Sequence, residues 1–206
     1  MTASARALYC SVDPALYAPR PGPKRWDLSY LGTYSADRQP TLERLLLDSA
    51  RALPGRRFAV AGPQYPAGID WPDNVDRIEH LPPADHAAFY SASRFTLNVT
   101  RADMIAAGWS PSVRLFEAGA CGTPIVSDVW EGLDSLFAPG LEILLARDGA
   151  AVMAALTGGD AGAIGAAARA RVLAAHTATH RAAELETCLD EAAADRANRT
   201  TTARAG

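Results

Sequence analysis

The chain has 206 residues, 49% of them hydrophobic and 21% charged, which are globular averages and exclude a wholly disordered, collagen-like or coiled-coil protein. A chain of this length buries about 70% of the surface it exposes when extended, enough for one sizeable core. Its net charge of −3 gives no overall pull toward nucleic acid or anionic lipid, so any phosphate binding has to be local.

Residues 1–25 carry Pro14, Pro19, Pro21 and Pro23 with little periodicity and read as an extended arm or linker. No apolar h-region opens the chain and no apolar run reaches the ~18 residues of a membrane span. Cys10, Cys121 and Cys188 are too scattered for a disulfide framework or a cysteine zinc site. A cytoplasmic protein without a membrane span is expected.

Order begins at Trp26. A strand is predicted over 28–32 and a helix over 41–53, whose stripe is Leu42, Leu45, Leu46, Ala50 and Leu53, with Gly55 as its stop. A strand over 57–62, a Pro/Gly-rich loop over 63–74, a strand over 75–79, a helix over 84–92 and a strand over 95–99 follow. Ser110 and Pro111 then open a helix, the hydroxyl at its cap and the proline at its first position, and Gly122 ends it. Next come a strand over 124–127, a helical turn over 131–137 and a strand over 142–146. Only helices remain, over 150–156, 161–175 and 179–194, before a polar tail over 195–206 that reads as disordered.

Strands alternating with helices at this spacing predict an α/β fold: a Rossmann-like open parallel sheet with helices on both faces, one domain over 26–194. In such sheets ligands bind beyond the carboxyl ends of the strands, near the point where strand order reverses. That rule nominates residues 32–35, 62–64, His80, Thr100 and Arg101, and Ser127 and Asp128. Ser110 and Ser112 at the start of the helix belong beside them.

Several familiar patterns are missing. Without GxGxxG a dinucleotide oxidoreductase loses its marker, and the Gly159, Gly162, Gly165 spacing in an alanine-rich region reads as composition. Without GxxxxGK[ST] or GxSxG, a P-loop nucleotidase and an α/β-hydrolase are unsupported. His176 and His180 stand four apart but lack an HExxH context, so a helix start explains them better than zinc.

The informative stretch is GWSPSVRLFEAGACGTPIVSD, from Gly108 to Asp128. The free amides and dipole of its helix suit an anion. Arg114 in the first turn opposes that dipole unless an anionic ligand offsets it. Glu117, three residues on, shares its face. Spacing alone leaves an intrahelical Arg114–Glu117 ion pair and a ligand site equally open, and Gly119, Ala120 and Gly122 can simply permit close packing on the sheet.

The run RLFEAGACGTPIVSD resembles the nucleotide-binding segment of GT-B glycosyltransferases of the group-1 type. The closer resemblance is to the CgeB-like spore-maturation glycosyltransferase group, through DLSYLGTYSADR, the later AGP, NVTR, SPSVRLFEAGACGTP, GLDSLF with PGLEILL, and HTATHR, all in order from about Tyr9 to Leu189. The resemblance implies a domain holding a nucleotide-diphosphate sugar as donor substrate, with no other cofactor. It carries Gly32 and Thr33 onto the first phosphate-side turn, Arg38 onto a basic residue after it, and Gly62 onto the turn after the second strand. It carries Glu117 onto the glutamate that holds ribose hydroxyls, Arg114 onto the R-x-F-E form, and Asn98 and Arg101 onto an N-x-x-R segment of unspecified role.

Two departures stand out. Where many retaining GT-B enzymes place a sugar-contacting glutamate, eight positions before Glu117, this chain has Trp109. A GT-B enzyme also needs two Rossmann-like domains, and the resemblance covers only the carboxyl-terminal one. Transfer of a sugar to an unknown acceptor is therefore expected to need a separate amino-terminal half. The alternative is a non-catalytic nucleotide-sugar-binding module. No DxD occurs, as in a metal-independent GT-B site, and no catalytic base is assignable.

Overall fold

Six strands, β1 (Trp26–Leu31), β2 (Phe58–Ala61), β3 (Val75–Ile78), β4 (Ser93–Asn98), β5 (Ile125–Ser127) and β6 (Leu144–Leu145), run parallel in the order β3-β2-β1-β4-β5-β6. The computed structural model describes residues 5–158 and 160–205. The first four residues of the expected arm, Gly159 of the glycine spacing and Gly206 of the expected tail lie outside them. The doubly wound sheet is the fold the alternating pattern predicts.

Side-chain alternation along the strands sorts the core into two layers. Leu28, Tyr30, Phe58, Val60, Phe95 and Leu97 face α1 (Gln39–Leu42), α2 (Asp48–Ala52) and α7 (Gly149–Thr157). Ala59, Ala61 and Ile125 face α3 (Pro83–Ser91), α5 (Val113–Ala120) and α8 (Ala161–Ala175). The same alternation turns the buried Ser29, Thr96 and Asn98 away from the leucine-rich layer, and Ser29 Oγ meets Thr96 Oγ1 at 3.3 Å. Asn98 is thereby delivered to α5.

Differences from the expected elements have local causes. Between α1 and α2 the turn Glu43–Leu47 is π-helical, and its wider path buries Leu45, Leu46 and Leu47 in succession, a pattern no 3.6-residue stripe foresees. The helix α4 (Ala102–Ala107) was not expected because it buries none of its side chains and so leaves no stripe to read. α5 starts at Val113 rather than at Ser110 and Pro111. Gly108 (φ +64°) and Trp109 (φ +52°) are left-handed, the chain stays extended at Ser112, and Ser112 Oγ caps by accepting from the Arg114 N–H. The short α6 (Leu133–Leu136) matches its expected turn. α9 (Ala178–Ala205) runs on past residue 194 into the stretch expected to be disordered.

The amino-terminal arm is a strap. Val12 pairs with Thr177: its N–H donates to the His176 carbonyl at 3.2 Å, and its own carbonyl accepts from Ala178 at 2.9 Å. Arg181 Nε donates to the Tyr9 carbonyl at 3.1 Å. Further along, the Arg20 N–H reaches Ser91 Oγ at 2.9 Å, and Lys24 Nζ caps the Ser91 and Ser93 carbonyls at 2.8 and 2.9 Å. All three cysteines are free. No single helix among the described residues is long and apolar enough to cross a membrane.

Gly119 of α5 and the following Gly122 serve the crossing with α8. A Cβ on Gly119 would lie 2.7 Å from Val172 Cγ2, and one on Gly165 would lie 2.2 Å from the Gly122 carbonyl oxygen. Gly165 is thus a crossing point, not an accident of composition. Gly165→Ala should gain up to about 1 kcal/mol in helix propensity but lose about 1–3 kcal/mol to the backbone clash. A net loss of stability in urea denaturation is expected.

Candidate functional site

The order of strands reverses between β1 and β4, and a cleft of about 610 Å³ opens there beyond their carboxyl ends. Of the residues nominated from the sequence, Gly32, Thr33, Arg38, Gly62, Arg101, Arg114 and Glu117 line it. His80 lines it too. Asn98 lies beneath it, while Ser110 and Ser112 stand outside its lining.

Arg114 is the centre of the arrangement. Its side chain leaves the first turn of α5 and ends at the carboxyl edge of β1, with the residue only 7% exposed. Nε donates to the Leu31 carbonyl at 2.6 Å, and Nη1 to Asn98 Oδ1 at 3.2 Å and Ser112 Oγ at 3.4 Å. The guanidinium carbon sits 4.8 Å from the centre of the Tyr30 ring. Among the described residues no carboxylate forms an ion pair with it. Glu117 Oε2 instead accepts from the Tyr90 hydroxyl at 3.0 Å, and burial, then the Glu117 charge, pushes that phenol well above its usual range. The intrahelical pair is not made, and both side chains turn to the cleft.

Two glycines make room for this. A Cβ on Gly32 would fall 2.6 Å from Tyr30 Oη and 2.8 Å from Arg114 Nη2. Gly62, at φ +137°, lies so close that its Cβ would be 2.1 Å from the Gly32 carbonyl oxygen. The Gly32 N–H donates to Ala61 and the Gly62 N–H to Ile78, each at 2.8 Å, so the ends of β1, β2 and β3 are stitched together at the cleft wall. Arg77 braces that wall, donating through Nη2 to the Gly62 carbonyl at 3.0 Å while lying over the rings of Tyr65 and Trp71.

Asn98 is oriented by its own partners. Its Nδ2 donates to Ser127 Oγ at 3.0 Å, Thr100 Oγ1 at 3.3 Å and Asp128 Oδ1 at 3.5 Å, which leaves Oδ1 for Arg114. The buried Asp128 accepts from the Thr100 N–H at 2.7 Å and hydroxyl at 2.8 Å. Burial pushes its pKa up, and those hydrogen bonds oppose the rise.

The rim is more open. Arg38 Nη2 donates to the Thr33 carbonyl at 2.6 Å, and its buried Nε has no partner. Asp37 Oδ2 accepts from the Ala102 N–H at 2.9 Å, tying the two rims together. Hydrogen bonds from Ser35 and then Ala102 hold its pKa below the usual range. The exposed Arg101 stands at the start of α4.

Placing the cap at Ser112 changes one expectation. The Arg114 N–H turns back to Ser112 Oγ and the Leu115 N–H to the Ser112 carbonyl, so the amides counted on to grip an anion are partly used within the turn. Positive charge rests on guanidiniums instead. Trp109 is 50% exposed and its ring covers Gly132, whose Cβ would lie 2.6 Å from Trp109 Cδ2. His176 bonds Arg181 Nη2 at 2.8 Å and His180 bonds Thr177 Oγ1 at 2.6 Å, each through Nδ1. No group of metal-ligating side chains converges among the described residues. Tyr90 and His86 of α3 also line the cleft and were not foreseen, since α3 carries no motif and its position opposite α5 brings them there.

A family described as "Glycosyl transferase-like" matches residues 38–187. No curated protein matches the chain in sequence. Among solved structures, the sucrose-phosphate synthase of Thermosynechococcus elongatus is 18% identical with a TM-score of 0.71, over 92% of this chain and 53% of that one. The HepE protein of Anabaena in complex with UDP-glucose is 14% identical with a TM-score of 0.70, over 90% and 57%. The GtfA/B complex is 14% identical with a TM-score of 0.65, over 88% and 39%. These likenesses give the fold, that of a GT-B glycosyltransferase domain. The chain spans about half the length of the first two proteins.

Gly32→Ala would drive a methyl group into the Arg114 guanidinium, and a loss of about 1–3 kcal/mol in urea denaturation is expected. Gly68→Ala, whose Cβ meets nothing within 4 Å, is the control and should change stability little.

Proposed function

The chain belongs to the glycosyl transferase-like family, and from that premise we propose that it is the donor-binding half of a GT-B enzyme that moves a sugar from a nucleotide-diphosphate sugar to an acceptor. The observation that carries the reading is Arg114: a guanidinium withdrawn from water, held by neutral oxygens and a ring face, with no ion pair to a carboxylate among the described residues. Burying a charge costs several kcal/mol unless it is compensated, and a diphosphate at Gly32 would supply the compensation. Three arginines, Arg38, Arg101 and Arg114, line the cleft against one carboxylate, Glu117. This is the local positive site that a chain of net charge −3 requires.

In this reading the diphosphate lies between the Gly32 and Gly62 turns and Arg114, and Glu117 accepts from the ribose hydroxyls. As the anomeric carbon becomes oxocarbenium-like, negative charge grows on the departing diphosphate. The fixed guanidiniums are aimed at that charge and lower the barrier without having to reorganise. The absence of a DxD sequence supports a reaction in which side-chain cations do the work of a divalent ion. The R-x-x-E pair of Arg114 and Glu117 facing one cleft supports a CgeB-like branch. Three unpaired cysteines support a reducing compartment such as the cytoplasm.

The acceptor site and its base are proposed to lie in an amino-terminal Rossmann-like half. The half-length match to GT-B proteins supports that, as does a cleft ending in an open rim.

Calorimetric titration with UDP, GDP, ADP and their sugars should give saturable binding that EDTA does not abolish. Arg114→Gln removes a charged partner and should weaken the best of these ligands by about 10- to 150-fold. Flat titrations with every nucleoside diphosphate would remove the basis of the donor site. In a coupled assay for released nucleotide, the lone chain should turn over donor only at a trace rate until an acceptor half is added.

A further inference from the structure

Four buried polar side chains gather where β4 and β5 end: Asn98, Thr100, Ser127 and Asp128. The parallel register sets Asn98 beside Ser127, and the Asp128 N–H donates to the Asn98 carbonyl at 3.2 Å, so the backbone itself holds the cluster together.

Hydrogen-bond direction in this cluster is dictated from one end. As a carboxylate, Asp128 can only accept. Its Oδ2 takes the Thr100 N–H, and its Oδ1 takes the Thr100 hydroxyl at 2.8 Å and the Ser127 hydroxyl at 3.4 Å. Each hydroxyl has a single proton, and with that proton committed to Asp128 its oxygen can serve Asn98 only as an acceptor. The two oxygens therefore require the Nδ2 side of the amide, at 3.3 and 3.0 Å, and Oδ1 is turned to Arg114 Nη1 at 3.2 Å. Nδ2 also lies 3.5 Å from Asp128 Oδ1. With the amide reversed, Nδ2 would face a guanidinium that has nothing but donors, and Oδ1 would face a carboxylate oxygen and two hydroxyls without a free proton.

One edge of Arg114 is left over. Nε gives its proton to Leu31, and Nη1 gives its two to Asn98 and Ser112. Nη2 makes no hydrogen bond among the described residues, and it stands 2.8 Å from the place that a Cβ on Gly32 would take. Both of its protons are thus unpartnered at the glycine wall of the cleft.

We propose that Asp128 is a positioning residue: through the Thr100 and Ser127 hydroxyls it sets the direction of the Asn98 amide, which engages Nη1 and so reserves the Nη2 edge of Arg114 for a phosphate oxygen of the donor. The inference rests on the donor-site reading above. It gives Asn98 the task of transmitting that direction, and it asks nothing of the ribose or the base.

The test is a double-mutant cycle read by calorimetric titration with inorganic pyrophosphate and with UDP, on the wild-type chain, Asp128→Asn, Asn98→Leu and the double variant. Removing the Asp128 charge by itself favours an anion at Arg114, and that Coulomb effect is common to both backgrounds and cancels in the cycle. What remains is the relay. The affinity change caused by Asp128→Asn should be about 3- to 10-fold less favourable with Asn98 in place than in the Asn98→Leu background, for pyrophosphate as much as for UDP. Should a variant of the cycle fail to fold, two neutral substitutions decide the matter. Thr100→Val keeps the shape but removes the hydroxyl and should weaken pyrophosphate by about two- to fivefold, whereas Thr100→Ser keeps the hydroxyl and should retain the affinity that Thr100→Val loses. A packing role for Thr100 predicts the opposite order. Additive effects in the cycle, or Thr100→Val binding as tightly as Thr100→Ser, would overturn the relay and leave the donor site standing. A loss confined to UDP would overturn it too, because the relay acts on the phosphate end. A wild-type chain that binds neither probe overturns both readings.

Discussion

A guanidinium held away from water without a carboxylate partner is the constraint to which the surrounding structure answers. Neutral oxygens and a ring face recover part of its lost hydration, through Leu31, Asn98, Ser112 and Tyr30. Each of these partners has its own requirement. The Leu31 carbonyl is reachable because Gly32 puts no Cβ in the way, and Gly32 holds its path because Gly62 lets the next strand end approach. Asn98 presents its oxygen because its nitrogen is committed to Ser127, Thr100 and Asp128. Asp128 thus helps to orient the amide that faces Arg114, and makes no ion pair with the guanidinium among the described residues.

α5 must hold still for this to work, and it is pressed from several directions. The sheet takes its apolar face through Leu115, Phe116 and Ala118. α8 crosses it at the glycine contacts, and Arg169 Nε donates to the Ala120 carbonyl at 3.2 Å, closing its last turn. The strap reaches its leading loop, where Cys10 Sγ lies 3.4 Å from the Pro111 carbonyl. The residues that clamp the strap sit at the α8–α9 junction. Segments nearly the whole chain apart in sequence thus meet on the helix that bears Arg114 and Glu117, which explains why the motifs of this chain are spread from Tyr9 to Arg181 rather than gathered in one stretch.

The parts legible in the sequence are those governed by short-range rules. Strand–helix alternation gives the sheet, and the rule for open sheets, applied to strand ends, nominates Gly32, Gly62, Thr100, Arg101 and Asp128 without any knowledge of side-chain contacts. Arg114 and Glu117 were visible as a pair on one face, but spacing could not tell an ion pair from a shared cleft. That choice is made by Asn98 and Tyr90, which lie on other elements. The start of α5 was misjudged because Ser110-Pro111 and Ser112 are both acceptable starts locally, and the left-handed turn at Gly108 and Trp109 decides between them. The strap was invisible for a different reason: in a proline-rich stretch without periodicity nothing marks Tyr9, Val12 or Arg20 as residues that dock, and their partners lie far away in sequence.

The three cleft arginines differ in depth, and depth assigns them different work. Arg101 is exposed and Arg38 half-buried on the rim, whereas Arg114 is almost fully withdrawn. Charges facing solvent are screened over about 8–10 Å at physiological salt, so the rim arginines can draw an anion in but add little to how tightly it is held. A charge in a dry site is screened far less, and its neutral neighbours cannot follow the ligand outward. Approach is thus governed by a solvent-facing, salt-sensitive rim, and retention by the packed interior of β1, β2, β4 and α5. In the proposed transfer the anomeric C–O bond breaks and charge grows on the departing diphosphate, which would meet a positive charge already in place; this separation of capture from grip would let one small domain serve both steps.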